Sequence, residues 1–122
     1  MVAYCFAEIA GFSKFGSYVG NGSADGAFIY LGFRPAFFMV KMSSAAGENW
    51  TIHDGKRSTY NLVNNKLYPS ANAAEAADTN NTCDFLSNGI KLRDAYNGWN
   101  ASGATYIYMA FAEMPFNYSR AR

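Results

Sequence analysis

Thr105–Phe116, reading T-Y-I-Y-M-A-F-A-E-M-P-F, is the stretch that most restricts what this chain can become. Ile107, Met109 and Phe111 fall on one side of an extended chain, and Tyr106, Tyr108, Ala110 and Ala112 on the other. That period of two, the β-favouring Thr, Tyr, Ile and Phe, and the stop at Pro115 predict a strand buried on at least one face. A helix here would have to bury residues all the way round.

The same phrase recurs at the other end of the chain. Val2-Ala3-Tyr4-Cys5-Phe6-Ala7-Glu8 aligns with Ile107-Tyr108-Met109-Ala110-Phe111-Ala112-Glu113, sharing Phe-Ala-Glu. Val2–Glu8 is therefore expected to be a strand neighbouring the C-terminal one. The echo also suits a module that a parent chain repeats, with residues 1–122 one domain cut from a longer protein. Chance likeness between two apolar strands is the plainer alternative.

Between these ends the chain reads as short strands separated by Gly, Asn and Ser turns. Extended runs are expected at Gly11–Val19, Ala27–Gly32, Ala36–Met42, Trp50–Asp54, Thr59–Val63 and around Leu67-Tyr68. Phe33-Arg34-Pro35 bends the chain, because Pro35 restrains its predecessor and cannot donate to a ladder. Ser70–Thr82 holds no large apolar residue and reads as a long loop, with one helical turn possible at Ala73–Ala77. Cys83–Leu86 and Ile90–Arg93 form a hairpin over Ser87-Asn88-Gly89. Tyr96–Gly103 is a second polar loop. The pattern is that of an all-β protein, an antiparallel β-sandwich with its N- and C-terminal strands adjacent.

Of 122 residues, 50% are hydrophobic and 17% aromatic, enough for one well-filled core. Ten Lys and Arg against nine Asp and Glu leave a net charge of +1, which offers no electrostatic case for nucleic acid. No apolar run reaches transmembrane length, so no membrane insertion is expected. Cys5, Cys83 and the lone His53 stand too far apart in sequence to suggest a metal site, and neither metal nor cofactor is expected. Cys5 lies on the small-residue side of the first expected strand and reads as a buried thiol, with a Cys5–Cys83 disulfide the alternative. Asn-x-Ser/Thr triplets at Asn21, Asn49, Asn80, Asn100 and Asn117 mark polar loops or glycosylation acceptors.

Four phrases together resemble a bacteriophage family. They are A-Y-C-F-A-E-I-A-G-F-S-K-F-G-S-Y-V-G-N-G-S-A-D-G, G-F-R-P-A-F-F-M-V-K, D-F-L-S-N-G-I-K-L-R and Y-I-Y-M-A-F-A-E-M-P-F. The similar sequences are C-terminal domains of phage tail-fibre and tail-associated proteins, with a concanavalin-A-like or SPRY-like lectin sandwich of jelly-roll type. The resemblance implies a place on the virion exterior, synthesis in the cytoplasm of a bacterial host, and a role in binding or assembly. It carries no catalytic residues over to this chain.

The acids Glu8, Asp25, Glu48, Asp54, Glu75, Asp78, Asp84, Asp94 and Glu113 sit mostly in turns, and no local motif pairs two of them for glycoside hydrolysis. His53-Asp54 with Ser58 is no triad, because neighbours in a strand point to opposite faces. An enzyme is not expected. A sugar-binding surface stacks aromatic rings on apolar sugar faces among Asn, Asp and Arg donors and acceptors. Two regions have that mixture: Trp50, His53, Asp54, Lys56, Arg57 and Tyr60, and then Tyr96, Asn97, Trp99 and Asn100. Trp50 suits the core or a loop pin equally well, and Lys56-Arg57 could be merely a solvated tip. Trp99, set among Asn, Gly and Ser, is expected to be exposed. Host-surface glycan or another receptor is the expected partner. The alternative is an assembly module, a homo-oligomer (a trimer, for instance) or a partner of other virion proteins, with Tyr106 and Tyr108 buried against a sister subunit.

Overall fold

A computed structural model describes residues 1–77 and 79–114. The chain is all-β with antiparallel sheets, as the alternating runs require. Its strands are β1 (Ser13–Val19), β2 (Phe28–Tyr30), β3 (Pro35–Met42), β4 (Thr51–Asp54), β5 (Asn65–Lys66), β6 (Ala76–Ala77), β7 (Cys83–Leu86), β8 (Gly89–Leu92) and β9 (Thr105–Ala112). One helical turn, α1 (Asn97–Asn100), precedes β9. The principal sheet has the order β1-β9-β3-β4, a second sheet has β2-β8-β7, and β5 pairs with β6.

β9 lies between β1 and β3, facing Gly16 and Val40 at Tyr108. Its two sides are those read from the period of two. The side carrying Tyr106, Tyr108 and Ala110 turns inward with Phe38, Val40 and Met42 of β3. Ile29, Phe85, Ile90 and Leu92 of the second sheet join them in one apolar cluster, together with Trp99 and Cys83. The two tyrosines thus line the core and are not offered to a sister subunit. The Tyr106 phenol reaches polar backbone: its Oη donates to Asn97 O at 2.6 Å and accepts from Ala101 N at 2.9 Å. Tyr18 stacks on Tyr106 with ring centres 5.2 Å apart. A Cβ on Gly16 would stand 3.0 Å from Tyr108 Oη, which accounts for a glycine in mid-strand.

The other side of the principal sheet is apolar and half-exposed, with Phe15, Phe37, Met39, Ile52, Met109 and Phe111 among its residues. Phe111 is ringed there by Phe6, Phe12, Phe15 and Phe37 at 5.8–6.1 Å between centroids.

Several expected elements are corrected. Val2–Glu8 forms no strand and is exposed throughout, and the N-terminal neighbour of β9 is β1 instead. The chain does begin a hairpin with β1, through the bridge Ile9–Ser13 around Gly11 at φ 74°, but goes no further. Cys5 is consequently exposed rather than buried, and both thiols are free. Thr59–Leu62 bends instead of extending, leaving Val63 to bridge Cys83. Around the short strand expected at Leu67-Tyr68, Leu67 bridges Ile52, while the strand itself lies at Asn65–Lys66 and pairs with Ala76–Ala77, inside the expected loop. The hairpin β7–β8 turns on Ser87-Asn88, because Gly89 already pairs with Leu86. A side chain at Gly89 would meet Ile29 O at 2.1 Å, so the strand needs glycine there to approach β2. Asp78, Pro115 and Asn117 lie outside the described residues.

Candidate binding cleft

The first sequence region is dispersed over three environments. Trp50 lies half-buried beside Met39, Pro69 and Ser70 on the outer side of the principal sheet, its amide donating to Ser70 Oγ at 3.2 Å. His53, next but two along, points the opposite way. It is fully buried, its ring stacked on Trp99 at 5.0 Å and its Nε2 2.7 Å from Asn81 O. Burial drives its pKa down to about 4, with Lys66 acting in the same direction; the Asn81 carbonyl, Asp94 and Asp54 oppose the fall. Asp54 faces away from His53, as strand geometry demands, and its Oδ1 accepts from the Lys56 and Arg57 amides at 2.9 and 2.7 Å. Arg57 is no free tip, since its guanidinium joins Asp54 at 3.0 Å to Glu75 at 2.7 Å. Tyr60 is 84% exposed.

The second region is chiefly structural. Trp99 and Asn100 are fully buried, contrary to the expected exposure of the indole. The physical reason is α1, whose single turn swings both side chains inward from a polar stretch. Trp99 Nε1 donates to Asp94 Oδ1 at 3.0 Å, so the ring loses no hydrogen bond by entering the core. Asn100 ties the loops together: Nδ2 donates to Asn21 Oδ1, Ser23 O and Asp94 O, and Oδ1 accepts from Asn21 N. Tyr96 and Asn97 remain at the surface. The two regions therefore meet inside the molecule, through the His53–Trp99 stack.

The surface adjoining the first region has a better-formed recess. Arg34, Pro35, Ala36, Gly55, Lys56, Thr59, Phe85 and Glu113 line a cleft of about 280 Å³. It opens where the start of β3, the turn after β4 and the end of β9 meet the second sheet. Its walls are fixed by backbone and side-chain bonds. Gly55 N donates to Ala36 O at 2.9 Å and Glu113 N to Arg34 O at 2.8 Å. Arg34 Nη1 donates to Phe85 O, while its Nε pairs with Glu113 Oε2 at 3.1 Å. Asn61 anchors Phe85 from behind through reciprocal bonds of 3.0 and 2.9 Å. Against this pair of opposite charges Lys56 adds a second cation, and Thr59 a hydroxyl. Arg34, Thr59 and Glu113 contribute to the cleft although they lie outside the two aromatic and amide clusters of the sequence. The bend at Arg34-Pro35 and the end of the Phe-Ala-Glu phrase were the signals that could have found them.

Among the described residues no three His, Cys, Asp or Glu side chains are grouped to hold a metal ion, and no helix is long and apolar enough to cross a membrane. No curated protein and no solved structure matches the chain. A family model does match residues 1–115, nearly the whole length, and the chain belongs to that family: a domain of unknown function, DUF7483.

Proposed function

We propose that the domain is a binding module of a virion exterior protein, a tail fibre or its like, that recognises host-surface glycan without cleaving it. The observation that carries this reading is the cleft at the strand ends. Its rigid walls present the Arg34 and Lys56 cations, the Thr59 hydroxyl and the Glu113 carboxylate, with the exposed Tyr60 following Thr59 in the chain. Such donors and acceptors match sugar hydroxyls, and the excess of cation over anion favours a saccharide bearing carboxylates. The resemblance to phage tail domains of the lectin-like sandwich type adds the virion setting. Among the residues expected from sequence, Asp54 and Arg57 shape the adjoining turn and Tyr60 offers a ring for stacking.

Titration calorimetry with acidic and neutral host polysaccharides tests the proposal. Lys56→Ala and Tyr60→Ala should each weaken binding about tenfold, the scale of one charge-assisted hydrogen bond or one stacked ring, with unchanged melting temperature. Binding unaffected by either variant, or release of new reducing ends during incubation, would overturn it. The apolar outer side of the principal sheet favours a second reading, an assembly module.

A further inference from the structure

We infer that Val2–Glu8 is a strand lent to a second copy of this chain, which takes it onto the open edge of its β1. This stands on β1 and the N-terminal segment alone and is independent of the glycan reading.

Among the described residues, β1 has β9 on one side and no strand of the sheet on the other. Phe12 O accepts from Ala112 N and Gly20 N donates to Ala104 O, so the even-numbered residues address β9. Ser13 exchanges both its backbone bonds with Ile9. By the alternation of an antiparallel ladder, Phe15, Ser17 and Val19 turn their N–H and C=O groups outward to the edge. The phrase that β1 accepts on its occupied side, I-Y-M-A-F-A-E, is the one that Val2–Glu8 repeats as V-A-Y-C-F-A-E.

The segment cannot satisfy that edge within its own chain without misplacing its side chains. The turn closed by Ile9–Ser13 sets the register. Continued, it would pair Ala7 with Phe15 and Cys5 with Ser17 on the outer side, and turn Phe6 and Tyr4 inward opposite Gly16 and Tyr18. That inner side is filled, with the Tyr108 hydroxyl against Gly16 and Tyr18 stacked on Tyr106. A slip of one residue exchanges the two faces, and the turn forbids the slip. The chain resolves the conflict by leaving the ladder after Ile9 and laying Phe6 over the outer side, against Phe15 at 6.0 Å and Phe111 at 5.9 Å. Tyr4 is left 83% exposed and Val2 76% exposed.

A segment from another molecule is free of the turn. Antiparallel pairs Phe6–Phe15, Tyr4–Ser17 and Val2–Val19 use only the outward-facing groups of β1 and leave the Ile9–Ser13 bridge intact. They place the three large side chains on the apolar outer side, and Ala3, Cys5 and Ala7 on the crowded inner one. This is strand addition, with alternate side chains giving the specificity.

Sedimentation of the whole chain from micromolar to hundreds of micromolar tests this, combined with amide hydrogen exchange. Self-association is expected, with protection at Phe15, Ser17 and Val19 rising with concentration. Ser17→Pro removes an edge-facing N–H while sparing the β9 ladder, and Phe6→Ser removes the anchoring ring. Each should raise the dissociation constant at least about tenfold, the effect of one such contact. A monomer at every concentration, protection independent of concentration (a hairpin within one chain), or association indifferent to both variants would overturn the inference.

Discussion

His53 should make the domain sensitive to mild acid. In the folded chain its imidazole is wholly buried between Trp99 and the Asn81 carbonyl, and its pKa is lowered to about 4 from an ordinary 6.5. Above pH 6.5 the ring is neutral in both folded and unfolded chains, so the shift has no effect there. As pH falls below 6.5 the unfolded chain gains a proton that the folded one refuses, and stability declines until about pH 4, where both are protonated. At about 1.4 kcal/mol per pH unit over an interval of 6.5 minus about 4, the loss amounts to about 3 kcal/mol. That is a sizeable part of a typical small domain's stability of ~5–15 kcal/mol. Urea unfolding followed by tryptophan fluorescence between pH 7.5 and 4.5 measures it. His53→Gln keeps a donor for Asn81 O but cannot titrate, so the difference between the two stability curves isolates the histidine from Asp54, Asp94 and the other carboxylates. That difference should change by about 2.5 kcal/mol across the window, mostly between pH 6.5 and 4.5. Parallel curves would refute the reasoning, and with it the neutral, buried imidazole.

Asn100→Ala should destabilise the domain by about 3 kcal/mol in the same urea assay, because it removes a fully buried amide and its hydrogen bonds to Asn21, Ser23 and Asp94 at once. Arg57→Ala, which breaks contacts to Asp54 and Glu75 at a largely solvated site, should cost no more than about 1 kcal/mol. Gly89→Ala drives a methyl into Ile29 O and should lower stability by at least ~2 kcal/mol while disrupting the β2–β8 pairing, visible as lost amide protection at Ile29. A native thiol titration with an aromatic disulfide should find one reactive group, Cys5, and two after unfolding. Cys83 is fully buried, and that burial holds its thiol well above the ordinary range.

What was legible in the sequence was periodicity. The two sides of β9, the buried run of β3 and the hairpin of β7 and β8 followed from alternation and turn residues, which are local properties. Val2–Glu8 was misread because alternation states that a segment can be a strand, not whether a turn already spent will permit the right register. Trp99 was misread for a related reason: its sequence neighbours are polar, but one helical turn reverses which way a side chain points. Asn100 looked like a ligand group and is a brace, since a buried amide with four partners resembles an exposed one until its partners are located. The cleft draws on residues from positions 34 to 113, and no local pattern could unite them.

β9, in the interior of the principal sheet, is synthesised after every other described strand. β1 and β3 have no contact in the ladder except through β9, which is synthesised some ninety residues after β1 begins, by subtraction of Ser13 from Thr105. A nascent chain stopped before Thr105 holds the β3–β4 and β7–β8 hairpins but not the surface on which they assemble. Folding of this sheet therefore waits on β9, and a fragment lacking β9 should be a target for proteases rather than a smaller domain.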